Sequence, residues 1–105
     1  MRIALVGPGR AGTAIALAAR RAGHRVVAVA ARSAVAAVRS AEMVGGDAVA
    51  IGDPLPASDL VIVAVPDGVI HLVAGLVAPT VPDGTSVVHL SGAVPVAALE
   101  PITVQ

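Results

Sequence analysis

Six residues near the amino terminus carry the clearest chemical pattern in this chain. GPGRAG, from Gly7 to Gly12, fits G-x-G-x-x-G. The pattern points to a dinucleotide when it follows a strand and opens a helix inside a βαβ unit. Both flanks fit: RIALV (2–6) is a short apolar run, and RAGTAIALAARRA (10–22) has Ala, Leu and Ile at helical spacing. Gly7 would permit the tight turn, Gly9 would open the backbone to a pyrophosphate, and Gly12 would let helix and strand pack closely. Ala16, one turn on, keeps that contact small. Pro8, Arg10 and Ala11 complete the loop, and a pyrophosphate there would rest on free N–H groups at the positive helix end. The plainer alternative is a tight βα turn without a ligand. Thr13 either adds a hydroxyl to the phosphate or bonds its own helix.

A second candidate lies about 20 residues further on. An NAD site usually has Asp or Glu at the end of the second strand, to hold the ribose 2′-OH. This chain has Ala30, Ala31, Arg32 and Ser33. Arg32 would pair bidentately with a 2′-phosphate, and Ser33 at a helix N-terminus would donate to it. Arg10 approaches from the glycine loop. The pattern therefore predicts NADP over NAD, against a solvated surface role for Arg32. Without aromatic residues, adenine would lie on aliphatic side chains and the Arg32 guanidinium plane.

The third set follows the fourth and fifth apolar runs, where ligands of open α/β sheets bind. Val65, Pro66, Asp67 and Gly68 close the fourth run. Pro66 would fix the turn; Asp67 either caps the next helix or runs beside the nicotinamide ribose. His89 and Ser91 close the fifth. They are candidates for proton relay and substrate hydrogen bonding, against a buried structural histidine and a polar turn. His24 is expected to be exposed and His71 structural. No His and carboxylate spacing suggests a metal, and Ser91 lacks the G-x-S-x-G elbow of a hydrolase.

Composition narrows the chemistry further. The 105 residues include no Cys, Lys, Phe, Trp or Tyr. That excludes thiolate, Schiff-base and phenolic catalysis and a GxxxxGK phosphate loop. Zero net charge and no stacking platform argue against nucleic acid. The apolar fraction is 56%, yet uninterrupted runs reach only six residues, far short of a bilayer span. A strand pattern directly after Met1 predicts no signal peptide, hence a cytoplasmic location. All seven Arg lie in residues 1–40 and all seven acids beyond. A basic edge of this kind suits an anionic ligand.

The elements that must hold these residues alternate strand and helix. Strands are expected at 2–6, 25–30, 48–51, 60–65 and 85–90. Helices are expected at 10–22, from a Ser33 cap to about Val44, at about 67–78, and beginning near 95. Strands apolar on both faces between helices predict a parallel Rossmann-type α/β sheet in one domain, strand order 3-2-1-4-5. The connection from strand three to strand four (52–59) is too short for a helical crossover. One face of the three-layer αβα sandwich is therefore expected to be thinly covered, which predicts self-association.

GPGRAGTAIA (7–16), AGHRVVAVAARS (22–33), ASDLVIVAVPDGVI (57–70) and VVHLSGA (87–93) together give a family resemblance. The chain resembles the N-terminal Rossmann-like domain of NADP-dependent oxidoreductases in the superfamily of 6-phosphogluconate dehydrogenase and pyrroline-5-carboxylate reductase. The glycine motif is shared by many families; the D-L-V-I-V-A-V-P-D run and H-x-S-G loop are more specific. The resemblance implies that Gly7, Gly9, Gly12, Arg32 and Ser33 bind NADP. It also implies that Pro66, Asp67, His89 and Ser91 face the nicotinamide end, and that a C-terminal helical domain completes a small-molecule substrate pocket and a dimer. The expected function is cofactor binding for hydride transfer. A non-catalytic dinucleotide sensor, or a fragment of a larger enzyme, is the alternative.

Overall fold

The computed structural model describes residues 1–7, 9–65, 67–81 and 83–89. Pro8, Pro66, Ser91 and the helix expected near 95 lie outside these residues, as does the side chain of Asp67. Strand β1 (Arg2–Val6) leads into helix α1 (Arg10–Arg21), strand β2 (Arg25–Ala31) and helix α2 (Ala34–Val44). Strands β3 (Asp47–Ala50) and β4 (Leu60–Val63) follow. A 3-10 turn (Asp67–Val69) then opens helix α3 (Ile70–Val77), which tightens to 3-10 at Ala78–Thr80 before strand β5 (Ser86–His89).

The five strands form one parallel sheet of order β3-β2-β1-β4-β5. Its centre is β1, whose alternating side chains serve two layers. Ile3 and Leu5 join Ala16 of α1 and Val44 of α2 in one core; Ala4 and Val6 join Val73 and Val77 of α3 in the other. The first two crossovers run the same way along the sheet, so their helices share a face. The chain then crosses back to β4 and puts α3 on the opposite face.

One irregularity sits in β2. Ile3 pairs with Val26 but Ala4 pairs with Ala28, so Val27 is an extra residue. The bulge shifts the alternation by one. Val26 and Val29 therefore face α1 and α2, while Ala28 and Ala30 face α3.

Among the described residues, α3 is the one α-helix on its face of the sheet, opposite the two on the other. Leu55, from the connection between β3 and β4, is buried there beside α3, while Leu72 and Leu76 on the outer side of α3 stay exposed. His71 is exposed on the same helix, because Val73 and Val77 take the inward positions; the structural role expected of it does not hold. His24 is half-buried rather than exposed: its Nδ1 lies 2.9 Å from the Met1 ammonium nitrogen. At the same end of the sheet, the Arg2 N–H donates to Asp59 Oδ2 at 2.6 Å, and the Arg2 guanidinium approaches Asp59 Oδ1 at 3.4 Å. These bonds hold the Asp59 carboxyl below the usual carboxylate range, the backbone N–H contributing most. They tie the starts of β1 and β4 together, away from the strands' carboxyl ends.

Candidate functional site

The glycine loop is held from two sides. The Gly7 N–H donates to the Ala30 carbonyl at 2.8 Å, and the Ala64 N–H donates to the Val6 carbonyl at 2.8 Å. Gly7 has φ +81°, a conformation that L side chains rarely adopt. A Cβ there would also lie 2.6 Å from the Ala64 carbonyl oxygen. Gly12 answers to packing instead: a Cβ would lie 2.8 Å from the Ala64 Cβ and 3.0 Å from the Gly7 carbonyl oxygen. Helix α1 thus presses its first turn onto the end of β4.

Gly9 differs from both. Its backbone is extended, with φ −79° and ψ −173°, and among the described residues nothing beyond its chain neighbours lies within 4 Å of where a Cβ would stand. Among the described residues, neither strain nor packing requires glycine there. Gly9 is the N-cap of α1, without a side-chain cap and without an acid in the first turn. The Thr13 N–H closes the first helical bond, 2.9 Å from the Gly9 carbonyl oxygen. The N–H groups of Arg10, Ala11 and Gly12 are left without an intrahelical acceptor. That end of α1 is a positive, open cradle for an anion.

In front of it lies a cavity of about 420 Å³. Gly7 and Gly9 form one wall and Ala31, Arg32 and Ser33 another; Ile51, Ala64, Val65, Val69 and Val73 supply an aliphatic floor. Arg32 is exposed at the rim. Ser33 caps α2, its Oγ accepting the Ala36 N–H at 3.3 Å, and the first turn of α2 also lacks an acid. Apolar walls with a few polar groups at one edge suit a mixed ligand, part aromatic ring and part phosphate.

The structure therefore gathers Gly7, Gly9, Ala31, Arg32 and Ser33 around one cavity, with Arg10, Ala11 and Gly12 in the adjoining helix turn. His89 ends β5 half-buried, opposite Val63 in register. It stands at the same carboxyl edge as the cavity but does not line it. Asp67 opens the 3-10 turn rather than an α-helix. Sequence reading missed Ile51, Val69 and Val73. Their signal was faint: each is an ordinary aliphatic residue at the end of a strand or the start of a helix. Among the described residues, no group of three His, Asp or Glu is placed to hold a metal, and no helix is long and apolar enough to cross a membrane.

A doubly wound parallel sheet with its glycine loop at the β1–α1 turn, beside the point where strand order reverses, defines a Rossmann-type dinucleotide-binding fold. The chain belongs to the Rossmann-like domain family, whose profile matches residues 1–105. No curated protein sequence matches it. Among solved structures it is similar to a Bacteroides fragilis protein described as a candidate NADP oxidoreductase, with a TM-score of 0.76 and 26% identity over 90% of this chain. It is also similar to arogenate dehydrogenase of Synechocystis (TM-score 0.76, 22% identity, 96% of this chain). A third likeness is an imine reductase of Myxococcus stipitatus in complex with NADP+ (TM-score 0.65, 23% identity, 93% of this chain). The chain spans 37%, 36% and 34% of these proteins' own lengths.

Proposed function

We propose that this chain binds NADP(H) and serves as the cofactor-holding part of an oxidoreductase acting on a small carbonyl, imine or deazaflavin substrate. The observation that carries the reading is Gly9. An extended glycine with open space before it, at an uncapped helix end, serves a ligand and not the fold. The residues fit the group: the first turn of α1 would hold the pyrophosphate, and the aliphatic floor of the cavity would take the adenine. Arg32 would pair with the 2′-phosphate, where an acidic residue would repel it. NADP, when bound, supplies or accepts the hydride; the protein orients it and keeps water from its apolar face.

A second reading is a dinucleotide sensor without turnover. It is favoured by the cavity walls, where Arg32 is the one ionisable side chain among the described residues. Turnover of NADPH with a panel of carbonyl and imine substrates favours the enzyme; tight binding without turnover favours the sensor.

Titration by NADPH and NADH emission tests the cofactor reading, and a chain without Trp or Tyr adds no emission of its own. The wild type should prefer NADPH. Arg32→Asp should lose about 1.5–3 kcal/mol of NADPH affinity, roughly ten- to hundredfold. An unchanged preference in that variant would sink the assignment.

A further inference from the structure

Strand β3 closes one edge of the sheet and β5 the other. Among the described residues, β3 pairs on one side alone, with β2. Alternate residues of such a strand turn N–H and C=O groups away from the sheet, a template for another strand. Free edges are usually blunted by lysine, proline, a bulge or a covering segment. Here Ala48, Val49, Ala50 and Ile51 are all apolar, and β3 runs in regular register with β2. Acids stand only at the two ends, Asp47 and Asp53. The chain leaves the sheet from β5, at the opposite edge and about 19 Å away. That leaves β3 open to a second molecule.

The flanks of this edge are apolar too. Val49 and Ile51 pack against the core on the α3 face, so Ala48 and Ala50 turn to the α2 face. On the α3 side, a groove of about 280 Å³ runs between Ala50 and Ile51 and the exposed Leu72 and Leu76; Arg32 is its one charged lining residue. On the other side, α2 packs on β2 and β3. Ala36, Arg39, Ser40 and Met43 of α2 line a groove with Thr13 of α1. Val38 is not among them. It is 47% exposed, and helical spacing puts it on the opposite flank of α2, toward the free edge.

We propose that β3 is a self-association surface: two copies pair their β3 strands antiparallel about a twofold axis through Val49, making one continuous sheet. With the axis normal to the sheet, opposite residues share a face. Ala48 then meets the partner's Ala50, and Asp47 meets the partner's Ile51. Charge and length select this register. A centre at Ala50 would set Asp47 against the partner's Asp53, a repulsive pair. A centre at Ala48 would leave Ile51 against the partner's Gly45, outside the strand. The Val49 centre instead carries each Asp47 toward the groove whose one charge is Arg32, opposite in sign. On the α2 face, small Ala48 and Ala50 let the two α2 helices approach antiparallel, with Val38 near the axis. This inference is independent of the cofactor reading.

The test is sedimentation equilibrium of the full chain, joined to cross-linking. The wild type should show twice the mass of one chain. Ala48→Lys charges an exposed edge position and should raise the dimer dissociation constant about tenfold or more, with an unchanged far-UV spectrum. Adding Ala50→Glu should restore the dimer, because the two positions face each other across the pair. The chain has no Cys, so Val49→Cys can form a disulfide only between copies. Opposite Cα atoms of antiparallel strands stand about 4.5–5.5 Å apart, within disulfide reach. Val49→Cys should therefore cross-link on oxidation. Val35→Cys, exposed and in the groove toward α1, should not. A wild type that stays monomeric at its highest soluble concentration would overturn the proposal. So would a dimer that Leu72→Glu breaks and Ala48→Lys leaves intact, or equal cross-linking at positions 49 and 35.

Discussion

Replacing Gly9 by Ser separates what the fold needs from what the ligand needs. The backbone at Gly9 is in an ordinary extended conformation, and among the described residues nothing beyond its chain neighbours lies within 4 Å of a new Cβ. Serine therefore enters without strain. It also adds a cap that α1 lacks. A serine cap is better than glycine by a few tenths of a kcal/mol, and loss of glycine's freedom in the unfolded chain adds about 0.4–1 kcal/mol. The folded state should gain roughly 0.5–1 kcal/mol, raising Tm by about 3–6 °C. Binding should move the other way. The new Oγ takes up a first-turn N–H, and the side chain stands where a pyrophosphate would approach. Losing two charge-assisted bonds of about 1.5–3 kcal/mol each weakens the complex more than about a hundredfold. Far-UV circular dichroism reads the stability, and NADPH emission reads the affinity. A Gly9→Ser chain that binds NADPH as tightly as the wild type would refute the argument that this glycine serves a ligand.

Gly12→Ala should do the reverse. Contact with Ala64 and the Gly7 carbonyl costs about 1–3 kcal/mol, offset by about 1 kcal/mol of helix propensity, so a thermal melt should show a net loss. Val73→Ala, in the α3 core and the cavity floor, should cost about 1.5–3 kcal/mol by chemical denaturation. Asp59 has its carboxyl pKa lowered by Arg2, so its contribution is complete above the unfolded pKa and lost as pH falls through the folded value. Melts from about pH 5 downward should show this loss, and Asp59→Asn should flatten that part of the profile.

Much of the sheet was legible because the determinants are local. Strand runs ended by glycine, a Ser33 cap and a helix stop at Gly45 each act within a few residues. Boundaries moved where packing decided them. The fourth strand ends at Val63, not at residue 65, and Ala64 and Val65 go on to line the cavity floor. The third strand starts one residue early, at Asp47, where it pairs with Ala28. The helix expected from 67 begins as a 3-10 turn.

The glycine loop, the arginine at the end of β2 and the order of the strands can be read from the chain alone. These follow from spacing along the chain and from right-handed crossovers. Which residues meet across the sheet depends on how its layers pack. Simple alternation would put Val26 and Ala28 on one face, but the bulge at Val27 sends them to opposite cores. Ile51, Val69 and Val73 reach the glycine loop because three separate segments end at the same edge of the sheet. Arg39 and Thr13 share a groove because α1 and α2 cross on the same face. Nothing local in the chain encodes such meetings; they come from burying both faces of one sheet.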